Sequence, residues 1–208
     1  MKNVLILSSS PRKGGNTDLL CDEFAKGAKE AGNKVTKIRI ADKKIGYCTG
    51  CYACQKTHKC VIKDDAAAIL KKMQEYPPGR RPAAKRAATR GADVIVFGTP
   101  AYFYSCTGQL KVFFDRTVAI YPDLPNKQYY YLLAQADENK DTFAGTIKSL
   151  DGFLDCYEGS KLKGMVAPRI APAYGSSLRS GDMLRASTRR ARSRGRSISP
   201  RPTSSVSK

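Results

Sequence analysis

The chain has 208 residues, 41% of them hydrophobic, which is enough to bury the core of one domain. Its net charge of +19 is concentrated in two segments, residues 76–91 and 166–208, which carry +5 and +9 of it. The rest of the chain therefore has the modest charge of an ordinary globular domain. The apolar run at residues 4–7 is far shorter than a signal-sequence core or a membrane span, which argues against both.

The cysteines indicate the compartment. There are seven, an odd number, and four of them crowd between residues 48 and 60. This pattern fits a reducing environment, where thiols serve as ligands, better than a disulfide scaffold. We therefore expect a cytoplasmic protein.

Hydrophobic periodicity predicts alternating buried strands and amphipathic helices. In chain order the predicted elements are a strand at 3–9, a helix from residue 16 or 17 to 31, a strand at 34–40, a helix at 64–75, a strand at 92–100, a helix at 107–119, a strand at 128–135 and a helix at 141–157. A fifth strand is expected near residues 165–170, although Pro168 and Arg169 interrupt its apolar pattern. This alternation is typical of an α/β domain whose parallel sheet is covered on both faces.

The two basic segments stand apart from this pattern. Residues 76–91 hold three prolines and two glycines and predict an exposed excursion between a helix and a strand. Residues 166–208 have too few large apolar side chains to order, so the domain is predicted at 1–165 with a disordered tail. The Arg-rich segments offer attraction to nucleic-acid phosphates without aromatic stacking, and their shared composition is also what an altered reading frame produces.

The first candidate site is the loop SSSPRKGGNT at residues 8–17, between a predicted strand and a predicted helix. Backbone N–H groups and the helix dipole converge on an anion at such a place, so the loop predicts a phosphate site. The side chains that suit a phosphate are Ser8, Ser10, Arg12 or Lys13, and Thr17. The loop matches neither a P-loop nor a dinucleotide fingerprint, and the alternative is a turn that only caps the helix.

A second loop, TPAYFYSCTGQLK at 99–111, follows the clearest buried strand and belongs at the same edge of the sheet. Its aromatic residues Tyr102, Phe103 and Tyr104 can flank a flat heteroaromatic ring, while backbone groups bond the polar edge of that ring. The alternative is that they are ordinary core and surface residues.

The cysteines Cys48, Cys51, Cys54 and Cys60 have the spacing x2, x2 and x5. Four thiolates so spaced can hold a [4Fe–4S] cluster, whereas zinc sites usually separate two C-x2-C pairs by a longer stretch. Free thiols without metal are the remaining interpretation.

Four stretches match one family in order: SSSPRKGGNT, CTGCYACQKTHKCVIKDD, ADVIVFGTPAYFYSCTGQLKVFFDR and FLDCYEG. By these the chain resembles the NAD(P)H-dependent FMN reductase and iron-sulfur flavoprotein family over residues 1–164. The resemblance implies a flavodoxin-like three-layer fold with strand order 2-1-3-4-5. It also implies the FMN-binding residues: Ser10, Arg12, Asn16 and Thr17 for the phosphate, and Pro100, Ala101, Tyr102, Phe103 and Tyr104 for the isoalloxazine ring.

The function implied is an FMN oxidoreductase that takes hydride from NAD(P)H and passes electrons to an unidentified acceptor, through a cluster if the cysteines hold one. The alternatives are a passive electron-transfer flavoprotein and a nucleic-acid-binding protein. No general acid or base is assigned, since Asp64 and Asp65 suit a helix N-terminus. The resemblance also favours a homodimer. The chain departs from the family pattern at Ser9, at Cys106, in the insertion at residues 76–91 and in the tail at residues 166–208.

Overall fold

The computed structural model describes residues 1–74, 91–137 and 139–168. The predicted excursion at 76–91 and the predicted disordered tail at 166–208 therefore lie almost wholly outside the described residues. No helix in the described part is long and apolar enough to cross a membrane.

Five parallel strands form one sheet in the order β2-β1-β3-β4-β5, which confirms the predicted strand order. The strands are β1 Asn3–Ser8, β2 Lys34–Arg39, β3 Val94–Pro100, β4 Gln128–Ala134 and β5 Lys161–Val166. The helices are α1 Asn16–Glu30, α2 Cys54–Thr57, α3 Ala66–Met73, α4 Gly108–Arg116 and α5 Ala144–Asp155, with short 3-10 segments at Ile40–Asp42, Thr117–Asp123 and Lys140–Phe143. Each predicted helix is present but shorter than predicted, and α2 was not predicted.

The fifth strand exists but lies earlier than residues 165–170. It pairs with β4 from Gln128 opposite Lys161 to Leu132 opposite Val166, with a bulge next to Tyr129. As the last strand of the described sheet it is largely exposed, so lysines alternate along it and the apolar pattern that marks a buried strand is missing. Pro168 follows the strand instead of interrupting it.

The sheet separates two apolar layers. On one face α1 packs through Leu20, Cys21 and Ala25, and on the other lie α3, α4 and α5. The second layer contains an aromatic cluster in which Phe97 of β3 contacts Phe114 and Phe153 at ring-centroid distances of 5.0 and 5.2 Å. Every residue of β3 is buried, in agreement with its near-continuous apolar sequence.

The helix α1 approaches β3 closely at Gly98. A Cβ atom at this position would overlap Cys21 Sγ and lie 3.4 Å from Thr17 Cγ2. Because burial raises the pKa of Cys21 to about 12, this thiol is an unreactive core side chain. Gly98 thus sets how near α1 can come to the sheet.

A buried ionic cluster joins α1 to β2. Asp18 forms ion pairs of 2.8 Å with both Lys37 and Arg39, and its side chain is only 8% exposed. Burial opposes its charge, but the hydrogen bonds from Lys37 and from the Gly14 N–H outweigh that cost and lower the pKa of Asp18 to about 2. The carboxylate is therefore ionised at any physiological pH.

We expect Gly98→Ala to lower the free energy of unfolding by about 1–3 kcal/mol, because the added methyl group overpacks the contact with Cys21. The matched control is Gly27→Ala on α1, where a Cβ meets no atom within 4 Å. That control should raise stability by up to about 1 kcal/mol through helix propensity. Urea denaturation measures both, and equal effects of the two substitutions would contradict the close packing at Gly98.

Asp18→Asn should destabilise the protein by about 2 kcal/mol at neutral pH, since the folded pKa lies nearly two pH units below the ordinary value of 3.8. Because folding lowers the pKa of Asp18, its ionised carboxylate contributes its whole stabilisation at pH values well above 4. This contribution is lost as the pH falls toward 2. The difference between wild type and variant in urea denaturation should therefore be the same at pH 7 and pH 5.5 and fall to roughly half by pH 3. A difference independent of pH would contradict this account.

Candidate functional site

The first and second loops meet at the carboxyl edge of the sheet. The backbone N–H and Oγ of Ser9 both donate to Gly98 O, at 2.8 and 3.0 Å, and Thr107 Oγ1 donates to Ser9 O at 3.4 Å. These three residues are buried, so the contacts are shielded from water. The structure thus brings together the two loops that the sequence places at one edge.

In the first loop, no side chain caps α1, because the residue before it is Gly15. The first-turn N–H groups of this 15-residue helix are therefore not occupied by a capping side chain, as an anion site requires. Ser10 and Thr17 are buried at the loop, Asn16 is half-buried and Arg12 is exposed. The loop provides the helix terminus and hydroxyl groups that suit a phosphate.

The ionic cluster around Asp18 supports this loop from below. Asp18 accepts hydrogen bonds from the Gly14 N–H at 3.0 Å and Ser8 Oγ at 3.1 Å, while Arg39 Nη2 donates to Ser10 O at 3.2 Å. This support was not predicted from the sequence. The available signal was that Lys37 and Arg39, two residues apart on one strand, point to the same side.

The second loop is a tight hairpin. Tyr102 and Ser105 exchange backbone hydrogen bonds of 2.9 and 3.0 Å, and the two residues between them have positive φ angles, 47° at Phe103 and 60° at Tyr104. Positive φ at both central residues defines a type I′ turn, which normally uses Asn and Gly. Two aromatic residues in this conformation carry strain of about 1–3 kcal/mol each, and such strain clusters at functional sites. Phe103 is fully exposed.

Helix α5 holds the hairpin in place. A Cβ on Gly145 would overlap the Tyr104 carbonyl oxygen, and Ser105 Oγ and Ser149 Oγ are 3.4 Å apart in a hydrogen bond. Gly145 is thus required for the close approach of the loop. The roles of Gly145 and Ser149 were not predicted, because a glycine and a serine on a helix carry no signal of a distant contact.

The backbone of this loop differs from one detail of the prediction. The N–H of Ala101 donates to Ala134 O at 2.8 Å and that of Tyr102 to Ser105 O. Both groups are engaged within the protein, so they do not serve the polar edge of a bound ring. Pro100 ends β3 and is buried. The side chains of Tyr102, Phe103 and Tyr104 are exposed.

The four cysteines of the predicted metal set lie on a separate loop, residues 46–62, which we call the cysteine loop. Cys51 is exposed and the other three are half-buried, with Cys54 opening the short helix α2. Burial, followed by the neighbouring thiols of Cys60, Cys51 and Cys48, raises the pKa of Cys54. Cys54 therefore lies among the other thiols of the cysteine loop.

These four cysteines line one cavity of about 660 Å³. Its opposite wall is formed by α4, the 3-10 segment after it and α5, including Phe114, Phe153 and Cys156. Within the described ranges, no group of three or more His, Cys, Asp or Glu side chains is arranged to hold a metal ion. The structure thus places the four thiols around a common space without bringing three of them into an arrangement that would hold a metal ion.

The base of the cysteine loop is well fixed. The Lys44 N–H donates to Asp65 Oδ2 at 2.8 Å and the Asp65 N–H to Lys44 O at 3.2 Å, while the Gly46 N–H donates to Asp64 Oδ2 at 2.9 Å. Asp64 also accepts from the Ala66 N–H at the start of α3. The predicted helix-terminal role of Asp64 is therefore present, together with a second role in closing the loop.

The chain is similar to one known protein family and to several curated proteins. The profile of the NADPH-dependent FMN reductase family matches residues 2–139. An iron-sulfur flavoprotein from Methanocaldococcus jannaschii is 39% identical over 114 residues, which cover 55% of this chain and 51% of that protein. One from Methanosarcina thermophila is 32% identical over 114 residues, with the same shares. The chain spans about half the length of the curated relatives it matches.

Solved structures share the fold at low sequence identity. The NAD(P)H:quinone oxidoreductase from Methanothermobacter marburgensis superposes with a TM-score of 0.62 at 16% identity, covering 92% of this chain and 98% of that chain. An FMN-dependent NADH-azoreductase from Bacillus anthracis, solved in complex with FMN, gives 0.57 at 12% identity, covering 90% and 94%. These likenesses confirm the flavodoxin-like architecture, and the profile match over residues 2–139, more than half of the chain, shows that it belongs to the NADPH-dependent FMN reductase family.

Proposed function

We propose that this chain is an FMN-dependent oxidoreductase that takes hydride from NADH or NADPH and passes electrons to an acceptor. The observation that carries the proposal is the junction of the two loops, in which Ser9 is hydrogen-bonded to both Gly98 and Thr107. It unites a helix terminus suited to phosphate with exposed aromatic residues suited to a flat ring. Family membership supports the same cofactor.

Different residues would bind the phosphate and the ring of FMN. Ser10, Thr17 and the first turn of α1 would hold the FMN phosphate, with Asn16 and Arg12 at its exposed side. Pro100, Ala101 and the hairpin Tyr102–Tyr104 would line the isoalloxazine ring. When bound, FMN supplies the hydride-accepting ring, and the chain's task is to position it. The ion-paired Asp18 keeps the phosphate loop in shape without presenting a free negative charge to the ligand.

We further propose that Cys48, Cys51, Cys54 and Cys60 bind an iron-sulfur cluster that takes electrons one at a time. Their placement around a single cavity supports this, as do the relatives named as iron-sulfur flavoproteins. Zinc remains the alternative metal for four thiolates. The homodimer and the cytoplasmic location stay predictions.

The reductase activity is tested by anaerobic titration of the FMN-loaded full chain with NADH and with NADPH. We expect the flavin absorbance to bleach with one equivalent of at least one nicotinamide, because the hairpin that would line the ring is exposed and a donor can reach it. Photoreduction serves as the control that the bound flavin is redox-active. A flavin that bleaches by photoreduction but with neither nicotinamide would leave the passive electron-transfer flavoprotein as the function.

The role of the hairpin is tested by Phe103→Asn. Asn tolerates positive φ, so this variant should be as stable as the wild type or more stable, while loss of the aromatic contact weakens FMN binding by about 1 kcal/mol, or about fivefold. Phe103→Tyr, which keeps the ring, is the matched control and should retain affinity. Fluorescence titration with FMN measures both. Equal affinity of the Asn variant and wild type would rule out a flavin contact by Phe103.

A further inference from the structure

Both ends of the cysteine loop are held by one side chain, Arg116 at the end of α4. Arg116 Nη1 donates to Gly46 O at 2.7 Å and Nη2 donates to Ile62 O at 3.3 Å. Gly46 lies two residues before Cys48, and Ile62 lies two residues after Cys60. The guanidinium therefore closes the loop that carries all four cysteines, and it removes much of the entropy cost of bringing the loop ends together.

The environment of Arg116 is unusual for a cation. Its side chain is fully buried and pairs with Asp64 through two bonds, at 2.6 Å to Oδ2 and 3.1 Å to Oδ1. Removing both charges from water is expensive, and a well-packed apolar pair often serves stability as well. A buried ion pair at the base of a loop of thiols therefore calls for a reason beyond stability.

Two further observations connect Arg116 to the thiols. It lines the cavity that the four cysteines line, and its Nε is buried without a hydrogen-bond partner among the residues described. A permanently charged group with an unused donor thus borders the space where an anionic thiolate–metal centre belongs.

We propose that Arg116 is the positioning residue of the cysteine site. It clamps the loop ends so that the four thiols surround one cavity before metal enters, and it provides positive charge to the anionic centre that they form. The proposal rests on the proposed function in one respect, which is that these cysteines bind a metal.

The planar guanidinium is essential to this role. Arginine donates in several fixed directions at once, so it can bond the Asp64 carboxylate and the carbonyls of Gly46 and Ile62 together. A lysine ammonium is a single point on a flexible chain, and it can keep the ion pair with Asp64 only by leaving at least one loop end. Arg116→Lys therefore preserves the charge and removes the clamp.

The test uses the reduced, metal-free full chain, titrated with Co²⁺ in the absence of air and followed by the thiolate-to-cobalt absorption band. We expect Arg116→Lys to weaken Co²⁺ binding by about 10- to 100-fold, the usual effect of removing a group that orients metal ligands. FMN affinity, measured on the same samples, should stay that of the wild type. The matched control is Arg39→Lys, the same substitution at the end of β2, where the arginine contacts Ser10 and Asp18 and no cysteine in the part of the chain that the structure describes, so Co²⁺ affinity should be unchanged.

Unchanged Co²⁺ affinity in Arg116→Lys would overturn the proposal, and so would a parallel loss of FMN binding, which would mark a general structural role. If Arg116→Lys fails to fold, the variant Asp64→Asn tests the proposal in its place. It keeps the side-chain shape but removes the charge that anchors the guanidinium, and it should weaken Co²⁺ binding while FMN binding persists. Full Co²⁺ affinity in Asp64→Asn would overturn the proposal. A wild type that binds FMN but gives no cobalt band would overturn it together with the metal site, and would leave the flavin function standing.

Discussion

The pairing of β1 with β3 at the centre of the sheet is the constraint on which the candidate flavin site depends. The register runs from Val4 opposite Val94 to Ser8 opposite Gly98, where β1 ends, and β3 continues for only two more residues, to Pro100. A loop follows each of the two strands, and Ser9 in the first loop donates hydrogen bonds to Gly98 O of β3. Parallel pairing, driven by two continuous apolar strands, thereby creates the crevice in which ligands of such folds bind.

Helix α4 connects this crevice to the cysteine loop. Thr107, which caps the helix, bonds to Ser9 of the first loop, and Arg116, nine residues later, holds the cysteine loop. At about 1.5 Å per residue the two ends of the helix are about 13 Å apart. One short helix thus fixes the position of one loop relative to the other, and its apolar side packs Phe113 and Phe114 into the core. The two candidate sites share a support without sharing residues of their loops.

Much of this could be predicted from the sequence because the signals are local. Hydrophobic periodicity indicates the buried strands and the helix starts. Turn composition indicates the loops at 8–17 and 99–111. The fifth strand was placed too late because Lys161 and Lys163 stand at an exposed position in the sheet, where apolar residues are not required. The helix α2 was missed because four residues carry too little periodicity to detect.

What the sequence could not reveal are the contacts between distant residues. Asp18 with Arg39, Arg116 with Gly46 and Gly145 with Tyr104 each join segments whose proximity only the fold creates. Each of these residues has an ordinary local explanation as a surface charge or a helix residue. The left-handed conformation at Phe103 and Tyr104 was likewise unpredictable, because aromatic residues normally avoid it.

The central claim is that the two loops form one FMN site. Its most direct test is the set of backbone amide NMR shifts of the isotope-labelled chain during titration with FMN. The account predicts that the largest shifts fall on residues 10–17 and 101–104 and saturate together at one FMN per chain. Shifts that concentrate on the cysteine loop, or that saturate at different FMN concentrations for the two segments, would contradict it.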